Sequence, residues 1–454
     1  MVSHSVSGSA SAPIKRITGF AIVIAGWLVC LFLTSHIRQF PHFGMDYLSI
    51  YSSSRCLLDG CNPYHGDETR AAFLAHGGTQ AEAEANDLAH KGVFAPYYAG
   101  YPPTSLFYFM PLAALPWQLS WHVWMVLSLT LYGLTALLFA GLCSDYSPLA
   151  ANLCLACFLA MHIYGVFLLQ PTYLIAALCC LGIWSLLQGR FVPAGILCYA
   201  LSLALKPHLG AFALLYFLLA SPVSRKRALQ VVGVTILLCV PAVVWAANHD
   251  GTRHWTQDYS INVKGVASRG HLSDPGPTGN GEPSQIADLQ TIVSIFRNDP
   301  AFYNPVVWGF SLVLLGAWLY PALRLAPNRE KDLLCLAAIV TFSLLPIYHR
   351  VYDSTILLAA FPAIALMLKK APRWGVVGAC LSLMLALAIS PNYFKYVVPV
   401  LRRLFGAASG GNAFMGLAER PLAMSLLALT VFFLVALYRI PQQLSLASGA
   451  APEA

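Results

Sequence analysis

The sequence predicts an all-α polytopic membrane protein, a bundle of about 10–12 transmembrane helices with large extracytoplasmic loops. Three observations lead there. Of 454 residues, 58% are hydrophobic and 10% charged, against roughly 45–50% and about 25% in soluble domains. Mean hydropathy is +0.65. Apolar runs close to the roughly 20 residues that a hydrocarbon core demands recur along the whole chain. This excludes an ordinary soluble enzyme, a disordered chain and a fibrous repeat. The net charge of +8 comes from 27 basic and 19 acidic residues. The basic residues are scattered and make no stripe for nucleic acid.

Residues 1–16 are polar and read as a cytoplasmic tail. The apolar run behind them lacks a small-residue cleavage motif and reads as a retained signal anchor. Candidate spans are 17–36, 120–143, 149–169, 171–188, 191–205, 208–221, 228–247, 305–323, 333–348, 354–368, 375–390 and 421–438. Residues 17–439 therefore form one multi-pass domain, followed by a cytoplasmic tail at 440–454. Spans 191–205 and 208–221 meet at Lys206-Pro207-His208, as two short helices or one broken element. Segment 104–116 is apolar but too short to cross, and reads as interfacial or re-entrant.

If all these spans cross, Lys15, Arg16, Arg190, Arg225, Lys226, Arg227, Arg324, Arg329, Lys331, Lys369, Lys370, Arg373 and Arg439 share one face. The positive-inside rule makes that face cytoplasmic, with both termini, in the plasma (inner) membrane. The opposite face receives loops 37–103, 248–304 and 391–420, lengths that are usually functional or disordered. The first carries a helical stretch near 66–90. Residues 265–285, rich in Gly, Pro and Ser, read as a lid or a spacer. Their Gly279-Asn280-Gly281 is a weak phosphate signal, because no strand–helix context surrounds it.

Four places on this face carry chemistry. Asp46 follows the first span and opens an amphipathic helix. It suits an N-cap, which accepts free N–H groups. It equally suits a general base, because a carboxylate at a low-dielectric boundary titrates nearer neutrality. Asp59-Gly60-Cys61-Asn62-Pro63-Tyr64 and Tyr101-Pro102-Pro103 are turn sequences, and Tyr64, Tyr97, Tyr98 and Tyr101 offer sugar-stacking faces or interfacial anchors. Gln170-Pro171 and Lys206-Pro207 sit where spans reverse. A helix starting at Pro207 would point its N-terminus and Lys206 at an anion, unless Lys206 merely snorkels. Tyr348-His349-Arg350-Val351-Tyr352-Asp353 places His, Arg and Asp in one short turn. Arg350 and Asp353 neutralise each other there, or the Arg fork binds phosphate or sugar.

Taken in order, these elements resemble glycosyltransferase family 87, of the GT-C class. The resemblance rests on Asp46 after the first span, Gly60-Cys61-Asn62-Pro63-Tyr64, Tyr101-Pro102-Pro103, Gln170 at a span end, Lys206-Pro207 and Pro346-Ile347-Tyr348-His349. The family's Gln usually follows a Gly; here Leu169 precedes it. The resemblance implies a GT-C-like bundle and a polyprenyl-phosphate sugar donor, mannose first and a pentose as the alternative. It implies transfer to a lipid or glycan acceptor with inversion. Asp46 would be the base. Lys206, His349 and Arg350 would hold the phosphate, and Gln170 would bond sugar or phosphate. Tyr64, Tyr101 and Asp353 would line the substrate loop. No Asp-x-Asp is present, so neither a metal nor another cofactor is expected. The partners expected are membrane lipid, donor and acceptor, with no nucleic acid.

The competing class is a multi-pass transporter or lipid flippase, which would line a path through the midplane with polar groups. An enzyme would gather Asp46, Lys206 and His349 at one end. Of 12 cysteines, only Cys56 and Cys61 lie in a polar loop. On an oxidising face they would form a disulfide, unless a helix over 56–59 holds them apart as free thiols.

Overall fold

The structure, a computed structural model, describes residues 11–37, 44–89, 101–271, 273–277, 283–390, 393–405 and 413–447. Among them there is no β-strand, only an isolated antiparallel bridge between Ile286 and Arg350. Seven helices are long and apolar enough to cross a membrane, and four shorter apolar helices lie among them. The chain is a multi-pass membrane protein.

The order begins with α1 (Ser11–Ile37), α2 (Met45–Asp59), α3 (Gly66–Ala75), α4 (Gln80–Ala89) and α5 (Pro103–Ala113). There follow α6 (Trp117–Ser144), α7 (Ala150–Met161), α8 (Ile163–Phe167), α9 (Thr172–Gln188), α10 (Val192–Leu205) and α11 (Pro207–Leu219). Next are α12 (Pro222–Asn248), α13 (Trp255–Ala267), α14 (Leu289–Val293), α15 (Pro300–Arg324) and α16 (Arg329–Ser343). A 3-10 helix (Val351–Ala360) runs into α17 (Phe361–Lys370). The chain ends with α18 (Pro372–Ile389), α19 (Val398–Phe405), α20 (Ala413–Ala418) and α21 (Pro421–Ala447).

Proline sets where these helices start. Pro103, Pro207, Pro222, Pro300 and Pro372 each stand in a first helical turn, where a missing N–H costs nothing. The Lys206-Pro207 junction therefore ends α10 and begins α11, so the two are separate short helices. With 14 residues, α10 rises about 21 Å, short of the roughly 30 Å hydrocarbon core.

Burial sorts the helices. The segment Val351–Lys370 is 89% buried and Pro222–Asn248 only 17%, so the first is the centre of the bundle and the second faces lipid. Around this central segment pack α9, α16, α18 and α6, with α10 on α9 and α21 on α16. On α12, Ile236, Leu237, Val240 and Val244 remain exposed, as a hydrocarbon solvent allows. The basic face is tied by a Lys370–Glu330 ion pair and by Tyr216, whose hydroxyl donates to Asp332 at 2.6 Å.

Three expectations change. The span expected at 354–368 begins as a ten-residue 3-10 helix, longer than such helices usually run. Ser354 and Thr355 turn their hydroxyls back onto the carbonyls of Val351 and Tyr352, and Asp353 is committed to side chains elsewhere. The helical stretch near 66–90 is two helices. Gly77 has φ +96°, and a Cβ on Gly78 would strike the Phe73 ring at 2.4 Å, so the break requires both glycines. Residues 283–294, next to and partly within the expected lid or spacer, pack on the 345–350 turn instead. Ala287 N–H donates to His349 O at 2.9 Å and Leu289 N–H to Leu345 O at 2.9 Å. Gly279-Asn280-Gly281 lies outside the described residues.

Helix α2 does extend over residues 56–59, yet Cys56 and Cys61 are joined in a disulfide with Cα atoms 5.0 Å apart. Gly60, at φ +85°, turns the chain back, so that both its own N–H and that of Cys61 reach Cys56 O. The left-handed cap brings the cysteines together. A loop this short gives about 2 kcal/mol in the chain-entropy description. Reduction, or the double change Cys56→Ser and Cys61→Ser, should lower the melting temperature by a few degrees. Peptide mapping without reductant that recovers both cysteines alkylated would show the bond absent.

Candidate active site

Five helices begin at one place. The N-termini of α2, α5, α9, α11 and the 3-10 helix start at Gly44, Pro102, Pro171, Lys206 and Arg350. Side-chain bonds run between them. Ser105 in α5 donates to Leu205 O at the α11 junction. Each N-terminus brings unsatisfied N–H groups and the positive end of a helix dipole. The convergence favours negative charge before any basic side chain is counted.

The segment Phe167–Gln170 seats the first carboxylate. Gly44 N–H donates to Phe167 O at 3.0 Å and Asp46 N–H to Leu168 O at 3.2 Å. Leu169 has φ +51°, a left-handed conformation that costs a residue with a Cβ about 1–2 kcal/mol. A Gly would adopt it freely. Here Leu169 is 4% exposed, and its carbonyl accepts the Trp124 indole N–H at 3.0 Å. Burial of the leucine side chain, worth about 1.5–3 kcal/mol, offsets the strain.

Asp46 does not cap α2. The N-cap is Gly44, and Asp46 lies in the first turn. Its carboxylate accepts the Gln170 amide Nε2–H at 2.6 Å. Burial pushes its pKa up to about 6, against the lowering influence of Arg350, the Gln170 bond and Lys206. Tyr101 donates its hydroxyl to Gln170 Oε1 at 3.2 Å, as does the Thr172 backbone N–H at 3.4 Å.

Thr172 leads to the second carboxylate. Its hydroxyl donates to Asp353 Oδ1 at 3.1 Å and accepts from Lys206 Nζ at 3.0 Å. Lys206 is also ion-paired with Asp353 Oδ1, and its side chain is 13% exposed, so it does not snorkel. Asp353 Oδ2 accepts His349 Nδ1–H at 3.0 Å and Arg350 N–H at 3.1 Å. Lys206 Nζ sits 5.4 Å from the Tyr352 ring centre. The His208 and His349 rings are 5.0 Å apart, and buried His349 Nε2 has no hydrogen-bond partner among the described residues.

The expected residues Asp46, Gln170, Lys206, His349 and Tyr101 thus meet, with the Arg350 charge acting on Asp46. Asp353 is no loop residue: at 2% exposure it is the junction, and its partner is Lys206. Tyr64 is also buried, its hydroxyl donating to Tyr101 O at 3.1 Å, so it supports the loop instead of facing substrate. Tyr97 and Tyr98 lie outside the described residues. Thr172, His208 and Tyr352 were not singled out. The signal for the first two was their place after Pro171 and Pro207, in first helical turns that face the same site.

His208, His349 and Asp353 bring donor atoms within 4.8 Å of one another. A cation there would have to displace Lys206 from Asp353. The sequence model of glycosyltransferase family 87 matches residues 98–347. The match contains Tyr101, Gln170 and Lys206; Gln170 bonds to Asp46 and Lys206 to Asp353 on either side of it, and Tyr101 bonds to Gln170. No curated protein and no solved structure matches the chain.

Asp353→Ala would leave Lys206 and His349 without their buried partner. A loss of about 3–5 kcal/mol is expected for a buried pair broken on one side, read as a lower melting temperature in detergent. A variant melting with the wild type would show that Asp353 does not hold this junction together.

Proposed function

The chain belongs to glycosyltransferase family 87, and on that premise we propose that it transfers a hexose, mannose by family, from a polyprenyl-phosphate donor to a lipid or glycan acceptor. The reaction would take place on the extracytoplasmic face of the plasma (inner) membrane, with both termini cytoplasmic. The observation that carries this reading is the hydrogen-bonded chain from Asp46 through Gln170 and Thr172 to Lys206 and Asp353. It sets a base and a cation side by side at one end of the bundle.

Asp46 acts as the general base. One of its oxygens is occupied by Gln170, and the other takes the proton of the acceptor hydroxyl. The freed oxygen attacks the anomeric carbon from the face opposite the phosphate. The bond between that carbon and the phosphate oxygen breaks, and its electron pair leaves with the phosphate. One displacement inverts the configuration. The leaving phosphate needs positive charge but no proton. Lys206, Arg350 and the N-termini of α9 and α11 supply it, with His349 held toward it by Asp353. These charges serve in place of a metal.

Asp46→Asn should leave the fold and membrane insertion intact and lower turnover by about 10²–10⁴-fold, the usual contribution of a general base. In the wild type the base works only when ionised. kcat/KM should therefore fall tenfold per pH unit below about 6, where Asp46 takes up its proton. Wild-type turnover by Asp46→Asn would remove Asp46 from the mechanism.

A further inference from the structure

We propose that Tyr101 is a positioning residue that acts on Asp46 through Gln170, and not a group that binds sugar. The inference rests on the reading of Asp46 as the base. It begins from the chemistry of the amide. An ionised carboxylate only accepts hydrogen bonds, so the Gln170 atom 2.6 Å from Asp46 Oδ2 must be its nitrogen. The amide oxygen then necessarily faces the other way. There it meets the Tyr101 hydroxyl at 3.2 Å and the Thr172 backbone N–H at 3.4 Å. Both are donors, so each favours the same orientation of the amide.

Tyr101 can serve this role at every working pH. Burial, then the charges of Asp46 and Asp353, hold its phenol well above the ordinary tyrosine range, so its O–H remains a donor. Its own backbone is fixed from the other side by Tyr64, whose hydroxyl donates to Tyr101 O. Pro102 and Pro103 follow at once and set the entry into α5. The substrate loop thus ends in a rigid phenol aimed at a glutamine.

The consequence falls on Asp46. Among the described residues its Oδ1 accepts no hydrogen bond, while Oδ2 is held by Gln170. Fixing the amide therefore decides which carboxylate oxygen is left for the acceptor hydroxyl. It also favours the ionised form, because a charge-assisted bond to Oδ2 exists only while the nitrogen faces it. The other groups that act on Asp46 are Lys206 at the start of α11, and Arg350 and Asp353 of the 3-10 turn. Tyr352 also lies within its electrostatic reach. The Gln170 oxygen takes its hydrogen bonds from Tyr101 and Thr172. Without the Tyr101 hydroxyl, Thr172 alone holds the amide, which more often presents its oxygen to Asp46, and Asp46 then holds its proton more tightly.

The test uses dicyclohexylcarbodiimide, which attacks a carboxyl group in its protonated form, on the purified full-length chain in detergent. Labelling of the Asp46 peptide is followed by mass spectrometry between about pH 4 and pH 9, which brackets the shifted carboxyl. A hydrogen bond to a charged group is worth roughly 1.5–3 kcal/mol, so Gln170→Leu should raise the labelling midpoint by about 1–2 pH units. Tyr101→Phe should raise it by part of that amount, and the double variant should match Gln170→Leu alone. The proposal is overturned if Gln170→Leu leaves the midpoint in place. It is equally overturned if Tyr101→Phe does nothing, or shifts the midpoint as much without Gln170 as with it. A loop role alone would alter yield or melting without moving the midpoint. Labelling needs no substrate, so its outcome is separate from that of Asp46→Asn turnover, which tests the base itself.

Discussion

The site depends on the burial of one carboxylate. Asp353 is nearly sealed from solvent, and its two oxygens take four donors from three parts of the chain. Lys206 and the Thr172 hydroxyl share Oδ1; His349 and the Arg350 N–H share Oδ2. A buried charge is tolerated only when paired and fully hydrogen-bonded. The starts of α9, α11 and the 3-10 helix are thereby drawn to one point. Asp46 joins the same network one residue further on, through Gln170.

Membrane physics makes this arrangement economical. Helix ends carry unsatisfied N–H groups that lipid cannot hydrate. Gathered at one place, five of them would find a partner in the phosphate of the proposed donor. Proline at the helix starts removes a donor that would otherwise need one. Burial raises the Asp46 carboxyl toward neutrality, although two cations act on it. Loop segments complete the enclosure. The disulfide closes α2, and residues 286–290 clamp the turn that bears His349, where buried Asp288 accepts the His349 N–H and burial lifts its own pKa to about 7.

Much of this was legible in the sequence, because membrane helices are written in composition. Every expected span corresponds to a described helix or helical segment, and proline marks most starts. Asp46, Gln170, Lys206 and His349 stood out because polar groups at span ends are rare. What stayed hidden depended on contacts between distant segments. Asp353 looked like the partner of Arg350, three residues away, and only the fold brings Lys206 to it. Thr172 is an unremarkable residue until α9 meets α11. Leu169 read as a departure from the family; its positive φ is a backbone property that only the fold records. Gly77-Gly78 and Gly60 act through backbone angles, which composition does not record.

The central claim is a single displacement driven by one carboxylate beside a phosphate site. The most direct measurement of it is the anomeric configuration of the product. Purified protein would be given a polyprenyl-phosphate mannose of defined configuration and a lipid acceptor, and the new linkage read from its one-bond carbon–proton coupling by NMR. The account predicts inversion. A product that retained the donor's configuration would require a second nucleophile and would contradict it.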